Sequence, residues 1–216
     1  MTTRATTDRE KSLAADEFVW DSEGLTEVHG FVADPILRRL RRHDAKKVLD
    51  LGCGNGAFTV MMAQHGLEVV GMDYSVSGIA IAQKNAPDVR FEQFDTLSDL
   101  PEEHWGRYDA VTAVEVIEHL PLPRRLMQNA AAALKPGGVF ILTTPYHGYL
   151  KNLALALTNQ FDDHWHPLRD HGHVKFFSKA TITQLFQECG YQDVAVETVG
   201  RIPVLARSMI ASGRTP

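Results

Sequence analysis

Cysteine is nearly absent. Cys53 and Cys189 are the only two in 216 residues, too few for the disulfide framework of a small secreted domain and suited to a reducing compartment. Long hydrophobic runs are missing too. No stretch approaches the ~18 uninterrupted apolar residues of a membrane span, and Met1 to Lys11 is polar and charged, without the apolar core of a leader. The expectation is a cytoplasmic protein with no membrane span. Nor is there an excess of positive charge: 22 basic against 27 acidic residues give a net charge of −5, which disfavours a duplex-binding surface. Internal repeats and low-complexity tracts are lacking. Residues 1–12, rich in Thr, Arg and Asp without apolar periodicity, read as a disordered tail. The whole chain, 44% hydrophobic and 23% charged, has an ordinary globular composition. At this length it buries roughly 70% of its unfolded surface, so neither disulfide nor structural metal is needed for folding. One domain over residues 13–216 is the reading.

From Phe18 to Leu40 apolar residues recur at roughly helical spacing, broken near Gly24 and Gly30, which predicts two or three short helices forming an N-terminal cap over residues 13–45. Arg38, Arg39, Arg41, Arg42, Lys46 and Lys47 then form a basic run. It reads as a solvated helix face, with contact to an anionic substrate or RNA as the alternative. Short apolar runs next alternate with helical segments. Strands are predicted at Lys47–Leu51, Glu68–Met72, Val89–Phe94, Tyr108–Val114 and Val139–Thr144. Helices are predicted at Phe58–His65, Val76–Lys84 (with Ser75 as cap) and Pro123–Leu134. Such alternation argues an α/β fold, a parallel, doubly wound sheet with helices on both faces. An irregular, histidine-rich insertion, residues 146–175, follows. A helix near Lys179–Cys189 and strands near Val194–Val199 and Val204–Met209 complete the chain.

The most informative stretch is Val48-Leu-Asp50-Leu-Gly52-Cys53-Gly54-Asn-Gly56, with Asp73 at the end of the next strand. A glycine turn lets backbone N–H groups approach a ligand, and an acid ~20 residues on accepts hydrogen bonds from ribose hydroxyls. Gly52, Gly54 and Ala57 also satisfy the dinucleotide pattern G-x-G-x-x-A, so an NAD(P)-linked oxidoreductase is one alternative. Asp50 argues against it: a carboxylate there attracts an amino or sulfonium group and repels a pyrophosphate. Asp95, closing the third strand, offers a carboxylate to an adenine amino group.

Together, D-x-G-x-G-x-G, Asp73, Asp95 and Leu134-Lys-Pro-Gly-Gly138 resemble the class I S-adenosylmethionine-dependent methyltransferases, from about Lys47 to the C-terminus. The resemblance implies a Rossmann-like, seven-stranded, mainly parallel sheet with an antiparallel last strand. It also implies that Asp50, Gly52 and Gly54 surround the methionine part of the donor, that Asp73 holds the ribose, that Asp95 meets the adenine with Thr96, and that Cys53, Tyr74 and Glu115 are further donor-binding residues.

Methyl transfer is an in-line displacement from an activated sulfonium, so the protein positions the nucleophile and manages its proton. After the fourth strand stands Ala113-Val-Glu115-Val-Ile-Glu118-His119-Leu120. This is not the Asn/Asp-Pro-Pro-Tyr segment of amino-methylating DNA enzymes, and neither cysteine is placed as a cytosine-C5 nucleophile. Glu115, Glu118 and His119, at i, i+3 and i+4, would share one face of a helical turn and could hold Mg²⁺, Mn²⁺, Fe²⁺ or Zn²⁺. A bound acceptor hydroxyl would then lose its proton near neutral pH. Without metal, His119 or His173 is the candidate general base, and Glu118 could simply cap the following helix.

The segment is similar to that of the ubiquinone-pathway O-methyltransferases. It is also similar to that of the small-RNA 3′-terminal 2′-O-methyltransferases, where a downstream H-x-H completes a metal site. By that resemblance His173, with His171 as the alternative, is the fourth ligand, and the remaining histidine contacts substrate. Alternatively His164, His166, His171 and His173, in the segment from Asp162 to His173, could form a separate zinc site. Trp165, Tyr146, Tyr149 and Phe161 are candidate walls of an acceptor pocket, or packing residues of the insertion.

The expected activity is O-methylation of a small catechol, phenol or quinol, metal-assisted or not. RNA 2′-O-methylation, N-methylation of a small amine and a non-catalytic donor-binding protein are the alternatives. Oligomeric state is not readable from the sequence.

Overall fold

The computed structural model describes residues 18–20, 22–165, 168–202 and 205–216. The expected tail over residues 1–12, the expected ligand His166 and Val204 of the last expected strand lie outside the described residues, as does the side chain of His164.

Strand β1 (Lys47–Leu51) opens a seven-stranded sheet with β2 (Glu68–Asp73), β3 (Arg90–Gln93), β4 (Tyr108–Val114), β5 (Leu134–Pro145), β6 (Gln192–Val199) and β7 (Ser208–Arg214). The order is β3-β2-β1-β4-β5-β7-β6. Strands β1 to β5 pair in parallel, and β7 runs antiparallel to both its neighbours. Helices α1 (His29–Arg42), α2 (Ala57–Gln64), α3 (Val76–Asn85), α4 (Pro123–Ala133), α5 (Tyr149–Leu157), α6 (Phe161–Trp165) and α7 (Lys179–Glu188) fill the connections.

The strands read as near-continuous apolar runs because both faces are covered. Alternate residues of the central strands feed two separate cores. Leu49, Leu51, Val111, Ala113, Phe140 and Leu142 pack with Leu126 and Met127 of α4 and with Ile182, Leu185 and Phe186 of α7. Val48, Ala110, Val139 and Ile141 face the other way, onto Ile36 and Leu40 of α1 and Phe58 and Met62 of α2. Each large apolar side chain so enclosed contributes about 1.5–3 kcal/mol. Ser75 caps α3 by accepting from Gly78 N–H at 3.1 Å, as its position predicts.

Four elements differ from expectation. Among the described residues, 18–20 and 22–26 form neither helix nor strand and make a strap, 27–28 turn, and α1 begins only at His29. The insertion is not irregular throughout, since it contains α5 and α6. Strand β5 begins at Leu134 and carries the expected turn Lys135-Pro-Gly-Gly138 within it, at a register shift opposite Tyr108/Ala110. The last strand is Ser208–Arg214 rather than Val204–Met209. Its small residues Ala211, Ser212 and Gly213 read as a turn, yet they are buried between β5 and β6.

Candidate active site

Strand order changes direction beside β1, with β2 on one side and β4 on the other. At such a switch point the loops leaving the strands diverge and open a crevice at their C-terminal ends. A cleft of about 1050 Å³ opens there.

The donor side is built on the glycine loop. Gly52 has φ +80°, and a Cβ on it would lie 2.4 Å from Val116 Cγ2. Gly54 has φ +54°, and a Cβ there would meet the Trp20 ring at 2.3 Å. Glycine is required at both, by backbone conformation and by close approach. Asp73 organises this loop: its two oxygens accept from Gly54 N–H and Ser75 N–H, each at 2.8 Å. Asp50, 2% exposed, accepts from the hydroxyls of Thr59 and Thr112, both at 2.7 Å. Burial pushes its pKa up to about 6, against the help of those hydroxyls. Cys53 is buried, and burial pushes its thiol well up, so it is a packing residue with no reactive thiolate. Asp95 folds back to accept from Leu97 N–H at 2.9 Å. Gly52, Cys53, Gly54, Asp50, Asp73, Tyr74, Asp95, Thr96 and Glu115 all line the cleft.

The N-terminal strap lies across this loop. Phe18 N–H donates to the Tyr74 hydroxyl at 2.8 Å and Trp20 N–H to Ser77 Oγ at 3.0 Å. Asn55 Nδ2 holds the strap by donating to Ser22 and Gly24 carbonyls at 2.8 and 3.1 Å. None of these tethers was readable from sequence, because each joins positions tens of residues apart.

Beyond β4 the backbone departs from the helical turn assumed for Glu115, Glu118 and His119. Glu115 has φ +54°, and a single 3₁₀ turn, Ile117–His119, follows. Glu115 therefore turns aside. Its carboxylate accepts from Thr143 Oγ1 at 2.8 Å and from Ser208 Oγ at 3.5 Å, and burial pushes its pKa up to about 7. Glu118, His119 and His173 do converge, with one ligand atom from each lying within 4.8 Å of the others. Glu118 is 1% exposed, and among the described residues neither of its carboxylate oxygens has a hydrogen-bond partner. Burial, then the charge of Glu115, pushes its pKa well up; the nearby Thr144 hydroxyl makes no hydrogen bond among the described residues.

The Glu118 carbonyl accepts from Val174 N–H and Lys175 N–H at 2.8 and 3.0 Å, which docks the H-x-H segment against the turn. His119 Nδ1 lies 2.8 Å from the His171 carbonyl and 3.2 Å from the Gly172 carbonyl. Two carbonyl acceptors require a proton on Nδ1, leaving Nε2 with the lone pair. Burial lowers the pKa of His119. The His119 and His173 rings meet edge to face, centroids 4.8 Å apart. His171 lines the cleft and contributes its carbonyl to His119.

None of the four expected aromatic walls lines the cleft. Phe161 and Trp165 stack at 4.4 Å and join Phe176 and His147 in a cluster inside the insertion, Tyr146 packs on the core, and Tyr149 is exposed. That side of the cleft is lined instead by Ala154 and Leu155 of α5, Thr158 just beyond its end, Phe31 of α1 and Leu205. The Arg38–Lys47 run also stays away from the cleft. Arg38, Arg41 and Arg42 face solvent and Arg39 pairs with Glu197 at 2.8 Å.

Residues 25–196 match the family model of a methyltransferase domain. Curated relatives include ubiquinone biosynthesis O-methyltransferases. That of Idiomarina loihiensis is 28% identical over 154 residues, covering 70% of this chain and 63% of the relative. That of Cronobacter sakazakii is 35% identical over 133 residues, 58% of this chain and 54% of the relative. The chain thus spans less than two thirds of the length of these relatives. Among solved structures, magnesium protoporphyrin IX methyltransferase of Synechocystis, with bound S-adenosylhomocysteine, superposes with a TM-score of 0.65 at 20% identity over 86% of this chain and 82% of that one.

Proposed function

This chain belongs to the class I S-adenosylmethionine-dependent methyltransferases, and from that premise we propose that it methylates a hydroxyl oxygen of a small catechol-, phenol- or quinol-like molecule. Residues 13–216 act as one catalytic unit, with segment 146–175 on the acceptor side. The donor lies along the glycine loop, its methionine part near Asp50, Gly52, Cys53 and Gly54, its ribose at Asp73 and Tyr74 and its adenine at Asp95 and Thr96.

The observation that carries the hydroxyl reading is the state of His119. Its Nδ1 proton is committed to two carbonyls, so Nε2 is an acceptor, and its lowered pKa keeps it unprotonated at neutral pH. The acceptor oxygen attacks the methyl carbon, the carbon–sulfur bond breaks, and the sulfonium becomes a neutral thioether. The hydroxyl proton passes to Nε2. A neutral amine needs no proton removed before it attacks, so a base held in this tautomer suits a hydroxyl. That the curated relatives are named O-methyltransferases supports the same reading.

A second reading, metal-assisted transfer, is favoured by Glu118. A wholly enclosed carboxylate with both oxygens unpaired costs several kcal/mol unless it is protonated or faces a cation. One carboxylate and two imidazoles suit Zn²⁺, Fe²⁺ or Mn²⁺, with Glu118, His119 and His173 as the holding residues. When bound, such a cation would lower the pKa of the acceptor hydroxyl. Glu115 is outside this set, held by Thr143 and Ser208.

Radiolabelled methyl transfer to a panel of catechols, phenols and amines tests both readings. The expected result is turnover of a hydroxyl acceptor that falls about 100-fold or more in His119→Ala, while the affinity for S-adenosylhomocysteine is kept. The acid limb of kcat/KM should lie below the usual histidine value near 6.5. Turnover of amines alone overturns the hydroxyl reading. Full activity after chelation, with none gained on adding Mn²⁺ or Zn²⁺, overturns the metal reading.

A further inference from the structure

The cleft is electrically divided. Asp50, Asp73 and Asp95 line the donor half, whereas Lys151, Arg169, Arg201 and Arg207, with Glu115 as the one acid near Lys151 among the described residues, line the half built by the insertion and the loop before β7. Two of these four cations already have partners. Arg207 is paired with both oxygens of Glu27, one of the contacts at 2.9 Å, and lies 5.4 Å from the Phe31 ring. Arg169 lies over the Phe18 ring at 5.9 Å. Lys151 and Arg201 remain.

Lys151 is partly buried, and its Nζ donates only to main-chain carbonyls, Tyr146 at 2.9 Å and Arg207 at 3.5 Å. An ammonium has three donors, so one is left over, and among the described residues no carboxylate comes within 4.0 Å of it. Burial, Arg201 and Arg207 together bring its pKa down to about 8, so it is still charged at neutral pH. The charge opposing this is that of Glu115, whose own pKa is pushed up to about 7 by burial. Arg201 forms no hydrogen bond or ion pair with any described residue.

Lys151 is partly buried and Arg201 is exposed at the cleft mouth. Like charges lining one cleft wall repel one another, the buried one also loses hydration, and nothing in a neutral ring offsets either cost. An anion does both. Resting on the hydroxyl-methylation reading, we propose that the acceptor carries an anionic group, a carboxylate or a phosphate, which seats between Lys151 and Arg201. The same ligand then presents its hydroxyl to His119 from the opposite end of the cleft. Such a seat fixes which hydroxyl of a polyhydroxylated ring is methylated, because the anion sets the orientation before transfer.

The probes are 3,4-dihydroxybenzoate, its neutral amide and 3,4-dihydroxyphenyl phosphate, titrated calorimetrically into wild-type protein saturated with S-adenosylhomocysteine. At least one anion should bind about tenfold more tightly than the amide. That gap should shrink in Arg201→Gln and in Lys151→Met, and with added salt. The larger of the two gaps identifies carboxylate or phosphate.

Equal binding of anion and amide, absence of binding included, overturns the seat. So does a gap that survives both substitutions. If both variants instead lose S-adenosylhomocysteine itself, the cations serve the carboxylate of the donor and the proposal falls. Methyl transfer is followed on the same samples with S-adenosylmethionine. Anion preference without transfer to the hydroxyl leaves the seat standing and fails the hydroxyl reading; transfer without anion preference fails the seat alone.

Discussion

Asp50 illustrates the energetics of the donor loop in one side chain. Its carboxylate is wholly enclosed, and two threonine hydroxyls do not offset the lost hydration, so its folded pKa of about 6 exceeds the ordinary 3.8. The folded state therefore binds the Asp50 proton more tightly than the unfolded chain does. Stability from this group is full below about pH 4, is lost as pH rises toward 6, and stays lost above. The difference amounts to about 3 kcal/mol, roughly half of it between pH 5 and 7. Asp50→Asn keeps the shape and removes the titration. Thermal unfolding should show the variant at least as stable as wild type at pH 7.5, with the difference shrinking at pH 5; a variant less stable at both would contradict the assignment. The position of Asp50 was legible in the sequence, since two residues before a glycine turn is a fixed place. Its partners Thr59 and Thr112 were not, because one comes from a helix and the other from a strand that pairs only after folding. Glu118 repeats the lesson. Its isolation depends on where residues 173–175 dock, and spacing within residues 115–119 carries no information about that.

Among the elements, legibility followed apolar content. Strands β1 and β4 were readable to the residue, because burial on both faces demands continuous apolar runs. Strand β7 was misplaced for the converse reason: it pairs on both edges, but its second half is Ala211-Ser-Gly213-Arg214, which carries the composition of a turn. Tertiary packing overrides that preference. Phe186 of α7 and Tyr191 press directly on Gly213, where a Cβ would stand 2.7 Å from Phe186 Cδ1 and 3.1 Å from Tyr191 Cβ. Both are ring-bearing residues packed in the core, with little room to shift. Gly213→Ala should therefore cost about 1–3 kcal/mol through overpacking, read as a lowered Tm with unchanged donor affinity, since Gly213 is not part of the cleft lining. The strap of residues 18–24 escaped sequence analysis differently. Phe18, Val19 and Trp20 supplied a helix-like rhythm, but backbone groups of Phe18 and Trp20 are taken by Tyr74, Ser75 and Ser77, partners outside the segment that replace the bonds a helix would make within it.

Across the whole molecule, the sheet separates two tasks. The donor loops leave β1, β2 and β3, all within residues 47–97, where a strand-turn-helix rhythm and an acid at fixed spacing make function readable. The side of the cleft proposed for the acceptor is lined from α1, α5, the H-x-H segment and the loop before β7, which lie far apart in sequence and carry no shared pattern. Aromatic residues misled there for a physical reason. Trp165 and Phe161 gain more by packing on Phe176 and His147 than by standing at a wet cleft wall. Smaller residues of α5 took that place instead. If the two tasks are separable, enlarging the acceptor wall should leave the donor untouched. Ala154 lines the cleft from α5, a helix without a buried residue, so a larger side chain there can be accommodated without disturbing either core. Ala154→Trp should keep the Kd for S-adenosylhomocysteine within about twofold while raising the acceptor KM about tenfold or more, the order expected when roughly 1.4 kcal/mol of acceptor binding is lost. Isothermal titration and steady-state kinetics on the same preparation read the two quantities independently. A parallel loss of donor affinity would mean that α5 reaches across the cleft, and the acceptor wall would then have to be sought in Phe31 and Leu205.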